Sequence, residues 1–218
     1  MPAPRLTASG LWRSELCPAS SVLPEGPKRK YRDATKGTKE HAAFPAPPGA
    51  IKEPAFAYSV LTGLSRHIGN DIGREYGPLD EGEIPGSLDL LTVEADRVLV
   101  QDIKTGVGYM QAEPAINPQL QLQAIAAATF HGKQKALVQL VYTKTGEVKE
   151  AEFDALDFAA IHERLATIYD RCTKAAEALG GGYLLTSPFI SEMLPGGLDP
   201  CWRCSSITHC PLKKRKAA

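Results

Sequence analysis

The chain has no excess of charge of either sign and no long apolar run. Lysine plus arginine and aspartate plus glutamate each number 25 in 218 residues, so the formal net charge is +0. A global basic field that would gather an anionic polymer is thereby excluded, and any anionic partner must be held by local patches. No stretch is apolar for long enough to span a bilayer. The first residues also lack the positive-then-apolar form of a secretory leader, so a cytoplasmic protein is expected. Aromatic residues make up only 7% of the chain, which argues against extensive base stacking. Five cysteines in a reducing compartment suit ligands or buried thiols better than disulfides. No internal repeat stands out. With 43% hydrophobic and 23% charged residues, the composition is that of a globular protein with a real core. The simplest reading is one domain over residues 1–218.

Local basic patches do exist. Lys28-Arg29-Lys30, with Arg32, Lys36 and Lys39, lies near the start, and Lys213-Lys214-Arg215-Lys216 fills the tail at 212–218. For the tail alone, a solvated end is the simpler account. The first 35 residues read as irregular or loosely helical. A short helix over residues 37–44 carries His41 and is cut off by Pro45-Ala46-Pro47-Pro48-Gly49. Residues 50–83, with weak periodicity, read as helix and loop. Two β-prone runs follow, 84–93 and 98–104, with Glu94-Ala95-Asp96-Arg97 between them. Asn117-Pro118 is a cap residue followed by proline at the first helical position, and predicts a helix reaching His131 and stopping at Gly132. Residues 136–142 and 148–153 form a second expected hairpin. Asp157 opens a long helix with Ile161, Leu165, Ile168, Cys172, Ala175 and Leu179 on one stripe, closed by Gly180-Gly181-Gly182. This order predicts an α/β or α+β fold with a central mixed sheet flanked by helices.

The first hairpin carries the chemistry. A turn centred between Ala95 and Asp96 pairs Asp89 with Asp102, with Cβ atoms about 5 Å apart. Lys104, two residues beyond Asp102, falls on the same face. Two carboxylates at that distance repel by about 3 kcal/mol at an effective dielectric of about 20. A divalent cation between them relieves the repulsion. An odd-length loop would instead separate the acids and leave Asp102 and Lys104 as an ordinary surface pair; the second acid in register favours the metal.

Cys201-Trp202-Arg203-Cys204 and Cys210 form a chelate-like spacing in a proline-bounded segment with little periodicity. Cys172 falls on the apolar stripe of the long helix, where a small buried thiol is expected. Cys17, followed by Pro18 in an irregular segment, is the better fourth ligand. Segments 11–20 and 200–211 would then join the two ends of the chain. Four thiolates hold an iron–sulfur cluster or structural zinc. His209 with three cysteines is a further zinc set. The spacing does not choose among them.

Taken together, these motifs resemble the PD-(D/E)XK nucleases of the RecB-like branch. The likeness is to the CRISPR-associated iron–sulfur exonucleases, the AddB nuclease domain and phage relatives, and it covers most of the chain. Leu16-Cys17-Pro18 is similar to their N-terminal cysteine, and Gly37-Thr38-Lys39-Glu40-His41 to their G-x-x-x-H helix. Gly86-Ser87-Leu88-Asp89 resembles their G-x-x-D strand, and Asp102-Ile103-Lys104-Thr105-Gly106 their D-x-K-T-G strand. Gln121-Leu122-Gln123-Ala124-Ile125 stands where they carry Q-L-x-x-Y, with isoleucine in place of the tyrosine. Cys201, Cys204 and Cys210 complete the cysteine pattern.

The resemblance implies a restriction-endonuclease-like core whose termini are joined by a [4Fe–4S] cluster, zinc being the alternative. It implies Mg²⁺ or Mn²⁺ held by His41, Asp89, Asp102 and the Ile103 carbonyl, the histidine shifting preference toward manganese. Such a metal activates water and stabilises charge on the scissile phosphate. Lys104 would orient or deprotonate the water, and Gln121 would position Lys104 or the phosphate backbone. The implied activity is a sequence-independent deoxyribonuclease, an exonuclease on single strands or DNA ends, in recombination, repair, phage or CRISPR processes. Any helicase partner would be a separate chain. The competing readings are a protein of this fold that holds DNA ends or a helicase but hydrolyses poorly, and a zinc-stapled interaction module. His67, His131 and His162 read as structural, and Glu53 and Glu83 are further acids with too thin a signal to join the site.

Overall fold

The structure, a computed structural model, describes residues 4–26, 44–105, 113–181, 201, 204–206 and 208–210. The expected His41 helix, the basic cluster at 28–39 and the basic tail lie outside the described residues. The protein is a mixed α/β fold with a central mixed sheet flanked by helices.

That sheet has five strands: β1 (Ile51–Lys52), β5 (Leu90–Val93), β6 (Val98–Lys104), β7 (Ala136–Tyr142) and β8 (Val148–Phe153), in the order β1-β5-β6-β7-β8. A second, antiparallel sheet holds β2 (Pro54–Ser59), β3 (Ser65–Asn70) and β4 (Glu83–Ser87), in the order β3-β2-β4. Among the described strands only β6 and β7 pair in parallel, and the helix α2 (Pro118–Phe130) makes the crossover between them. The remaining helices are α1 (Leu11–Leu16) and α3 (Ala155–Gly180), with 3₁₀ turns at Ala8–Gly10, Pro18–Ser21 and Pro114–Ile116.

Residues 50–70 carry the strands β1, β2 and β3 in place of the expected helix, while residues 71–82 are loop as expected. β2 is buried on both faces from Pro54 to Tyr58, so the alternation that betrays a half-buried strand is missing, and its two alanines carry little strand signal. Gly63, at φ 70, completes the tight turn into β3. The expected strand over 84–93 is also divided. At Leu88 and Asp89 the chain crosses from one sheet to the other: Leu88 N–H donates to the Pro54 carbonyl (2.9 Å), and Glu53 N–H to the Asp89 carbonyl (3.0 Å).

The helix ends follow local rules. Asn117 Oδ1 accepts from Gln119 N–H (3.0 Å) and from Trp12 Nε1 (3.1 Å), capping α2 and tying it to α1. Gly132, at φ 64, ends α2. Helix α3 begins at Ala155, because Asp154 is the cap and Asp157 completes a capping box with it. Its buried stripe is Ile161, Leu165, Ile168, Cys172 and Ala176, the last in place of Ala175 and Leu179. Arg164 binds Glu15 through Nε and Nη2 (2.7 Å each) and so locks α3 to α1. Helix α2 is buried at every position from Leu120 to Ala128, against both sheets and α3. Among the described residues, no helix is long and apolar enough to cross a membrane.

Candidate active site

The β5–β6 register is the one the turn predicts: Leu90 opposite Gln101, Leu91 opposite Val100, Thr92 opposite Leu99 and Val93 opposite Val98. Glu94 N–H closes the turn onto the Arg97 carbonyl (2.9 Å). One step beyond the ladder, Asp89 reaches the backbone of β6 just after Asp102. Its Oδ2 accepts the Ile103 N–H at 2.6 Å, a charge-assisted bond that fixes the carboxylate against β6. Asp102 Oδ2 lies 2.5 Å from Lys104 Nζ, and Asp102 Oδ1 accepts from Gln119 Nε2 (3.4 Å). The Asp102 and Lys104 side chains are 6% and 22% exposed, so this is not a solvated surface pair.

Asp89, Asp102 and Lys104 line one cavity of about 530 Å³ together with Glu53, Ser87, Gln119, Arg74 and Tyr76. Ala8 and Ser9, from the N-terminal 3₁₀ turn, close its other side. The turn reaches in because Gly86 has no side chain: a Cβ there would stand 2.8 Å from the Ala8 Cβ. The glycine of the G-x-x-D motif thus makes room for the cavity wall.

Gln121 is not on that wall. Its Nε2 donates to the Ala115 carbonyl (2.7 Å) and its Oε1 accepts from Arg164 (2.8 Å), so both ends of the amide are spent on the α2–α3 junction. The glutamine that meets the acids is Gln119, in the first turn of α2. The Gln119-Leu120-Gln121-Leu122-Gln123 repeat offers two starting points for a Gln-Leu pattern, and only the helix phase separates them. The Ile103 side chain is buried in the core, leaving its backbone to face the site.

Glu53, set aside on sequence, is on the wall. Its backbone adopts φ 46 where β1 gives way to β2, and its N–H and carbonyl bond Asp89 and Asp71 respectively (3.0 Å each). The only signal for it in sequence was an isolated acid before Pro54. Glu83 lies elsewhere, bound to Arg66 (2.7 and 2.8 Å), whose guanidinium holds its carboxyl below the usual range. His67, His131 and His162 are placed in the packing: His162 Nδ1 bonds the Tyr58 hydroxyl (2.8 Å), while His67 and His131 pack around Phe56 and Phe130. A second cavity, about 480 Å³ beside Tyr58 and His162, has no carboxylate among the described residues of its wall.

Near the two ends of the chain, residues 204–206 dock on residues 20–26. The buried Ser206 hydroxyl reaches the carbonyls of Leu23 (3.0 Å) and Ser20 (3.3 Å), and Gly26 N–H donates to the Ser205 carbonyl (2.7 Å). Cys17 caps α1 just before that segment, and Cys204 N–H donates to the Cys201 carbonyl (3.1 Å). Cys17, Cys201, Cys204 and Cys210 are all half-buried. Cys172 is fully buried, and burial pushes its thiol up to about 11. Among the described residues, no group of three or more His, Cys, Asp or Glu side chains is arranged to hold a metal, at either end.

No family model and no curated protein matches the chain. Among solved structures, one described as "Crystal structure of SSO0001" aligns with 84% of this chain and 72% of its own, at 17% identity and a TM-score of 0.45.

Proposed function

We propose that the chain is a metal-dependent deoxyribonuclease with a restriction-endonuclease-like core, an exonuclease that cuts single strands or DNA ends without sequence preference. The observation that carries this reading is the shared wall: Asp89, from the junction between the sheets, and Asp102, on β6, line one cavity, with Lys104 against Asp102. The chemistry of the lining suits Mg²⁺ or Mn²⁺, because Asp89, Asp102 and Glu53 bring hard carboxylates to one cavity wall, although the three are not drawn into a single ligand group. Asp89 and Asp102 would hold the ion, with the Ile103 carbonyl and His41 as the further ligands that the resemblance implies. When bound, the metal supplies an activated water and stabilises charge on the phosphate.

The chain's own groups do the rest. The Ile103 N–H and the junction between the sheets keep Asp89 from turning away. Gln119 orients the Asp102 carboxylate, and Lys104, two residues along β6, can shed its partner to hold or accept a proton of the attacking water. Gln119 takes over the role first assigned to Gln121. Cys17, Cys201, Cys204 and Cys210 are proposed to bind a [4Fe–4S] cluster where the two ends of the chain dock. DNA is the proposed partner, alone or delivered by a separate helicase or recombination protein.

The test is digestion of end-labelled single- and double-stranded DNA, with blocked-end controls, by anaerobically prepared protein in Mn²⁺. Wild-type protein is expected to shorten free ends and Asp102→Asn to leave them intact; equal digestion by the two refutes the assigned site. Iron and zinc analysis of the same preparation tests the cluster, and stoichiometric zinc without iron removes it.

A further inference from the structure

Of the two cations that the described residues place on the cavity wall, Lys104 is already committed to Asp102. The other is Arg74, which is exposed and makes no hydrogen bond or ion pair among the described residues. Its backbone sits at φ 67, where an L side chain is strained. Glycine would adopt that conformation without penalty, as Gly73 and Gly77 do on either side (φ 58 and 66), so the turn itself does not call for arginine. The segment is also anchored to the acids. Asp71 N–H donates to the Glu53 carbonyl, whose own N–H donates to the Asp89 carbonyl (3.0 Å each). Further along, the Ser87 hydroxyl donates to the Tyr76 hydroxyl (3.4 Å), which sets the Tyr76 ring on the same wall.

We infer that residues 71–77 are the substrate clamp of this site: Arg74 grips the phosphate next to the scissile one, and Tyr76 lies against the adjoining sugar or base of a single strand. The clamp rests on the nuclease reading. A wall with three carboxylates repels a phosphodiester chain. A cation at the acid pair neutralises one phosphate, and its neighbour needs a positive group of its own. A guanidinium offers the planar fork that matches two phosphate oxygens. Arg74 is a substrate-binding residue here and takes no part in proton transfer.

The experiment uses the full-length protein and a labelled single-stranded oligonucleotide. Affinity is measured by anisotropy in Ca²⁺ across a salt series, and cutting kinetics in Mn²⁺. Arg74→Ala should raise KM about tenfold with kcat nearly unchanged. It should also flatten the slope of log affinity against log salt by about 0.7, the loss of one single-strand phosphate contact. Arg74→Lys should recover the salt slope but only part of the affinity, and Lys135→Ala, exposed beside Val98 at the far end of β6, should match wild type. Arg74→Gly should weaken binding as Arg74→Ala does without lowering Tm, which separates the role from a structural one. Wild-type cutting with an unchanged KM and salt slope in Arg74→Ala overturns the clamp alone. A wild-type protein that neither binds nor cuts overturns the nuclease reading and the clamp with it.

Discussion

The acids and the cysteines stand on opposite kinds of backbone. Asp102 lies on β6 and Asp89 where the chain passes between the two sheets, and each is held from β6, Asp89 by the Ile103 N–H and Asp102 by Lys104. Cys17, Cys201, Cys204 and Cys210 lie in irregular segments far apart in sequence, and what holds those segments together is Ser206 on the carbonyls of Ser20 and Leu23. The first construction needs only a correct turn, because β register fixes every later pair. The second closes a loop of nearly the whole chain, so its entropy cost must be met by long-range contacts or by a ligand. Damage to the first should cost activity and leave the fold; damage to the second should cost stability and leave the chemistry.

The largest expected effect breaks the acid side. Asp102→Asn keeps the size of the side chain and its contact with Gln119, yet should lower kcat by on the order of 10²–10³, the several kcal/mol of charge stabilisation that a held metal provides. Its Tm should stay near wild type, and a large fall in Tm would mean that the pair serves the fold instead.

Two glutamines sharpen the contrast within one helix. Gln121→Ala strips a partner from Arg164 and from the Ala115 carbonyl and should cost about 1–3 kcal/mol, read from denaturant midpoints, with kcat preserved. Gln119→Ala should do the reverse, lowering kcat severalfold with Tm unchanged. Matching behaviour of the two variants would contradict the assignment of Gln119 to the site.

On the cysteine side, Ser206→Ala removes the hydroxyl that reaches two carbonyls and should cost about 1 kcal/mol. For a chain of this size, that lowers Tm by roughly 2–4 °C while DNA cutting continues at the wild-type rate. An unchanged Tm would assign the docking of the two ends to a bound ligand alone.

The smallest effect lies away from both. Burial, with help from His67 and Lys133, holds the His131 imidazole below its ordinary value, and its Nε2 is buried without a hydrogen-bond partner. Below the ordinary value of 6.5 the unfolded chain takes up a proton that the folded protein refuses, so stability should fall as pH drops from about 7 towards 5. His131→Phe keeps the ring contact with Phe56 and should flatten that slope in thermal melts.

The features legible in sequence were those set by neighbours in the chain. Glu94 to Arg97 specify a turn, and the period of two then carries Asp89, Asp102 and Lys104 to one side without further information. Asn117-Pro118, Gly132 and the apolar stripe of α3 locate helices by the same local chemistry. Cys172 fell inside that stripe, where its side chain is buried.

Tertiary structure alone decided the rest. Strand β2 was hidden because both of its faces are covered, which erases alternation. Gln119 and Gln121 are equivalent as letters, and only the packing of α2 against the sheet and α3 turns one to the acids and the other to Arg164. Glu53 and Arg74 enter the site through backbone at positive φ, a conformation that no pattern of side chains announces. Local propensity sets elements and register; which side chains converge from distant elements is settled by how the buried faces pack.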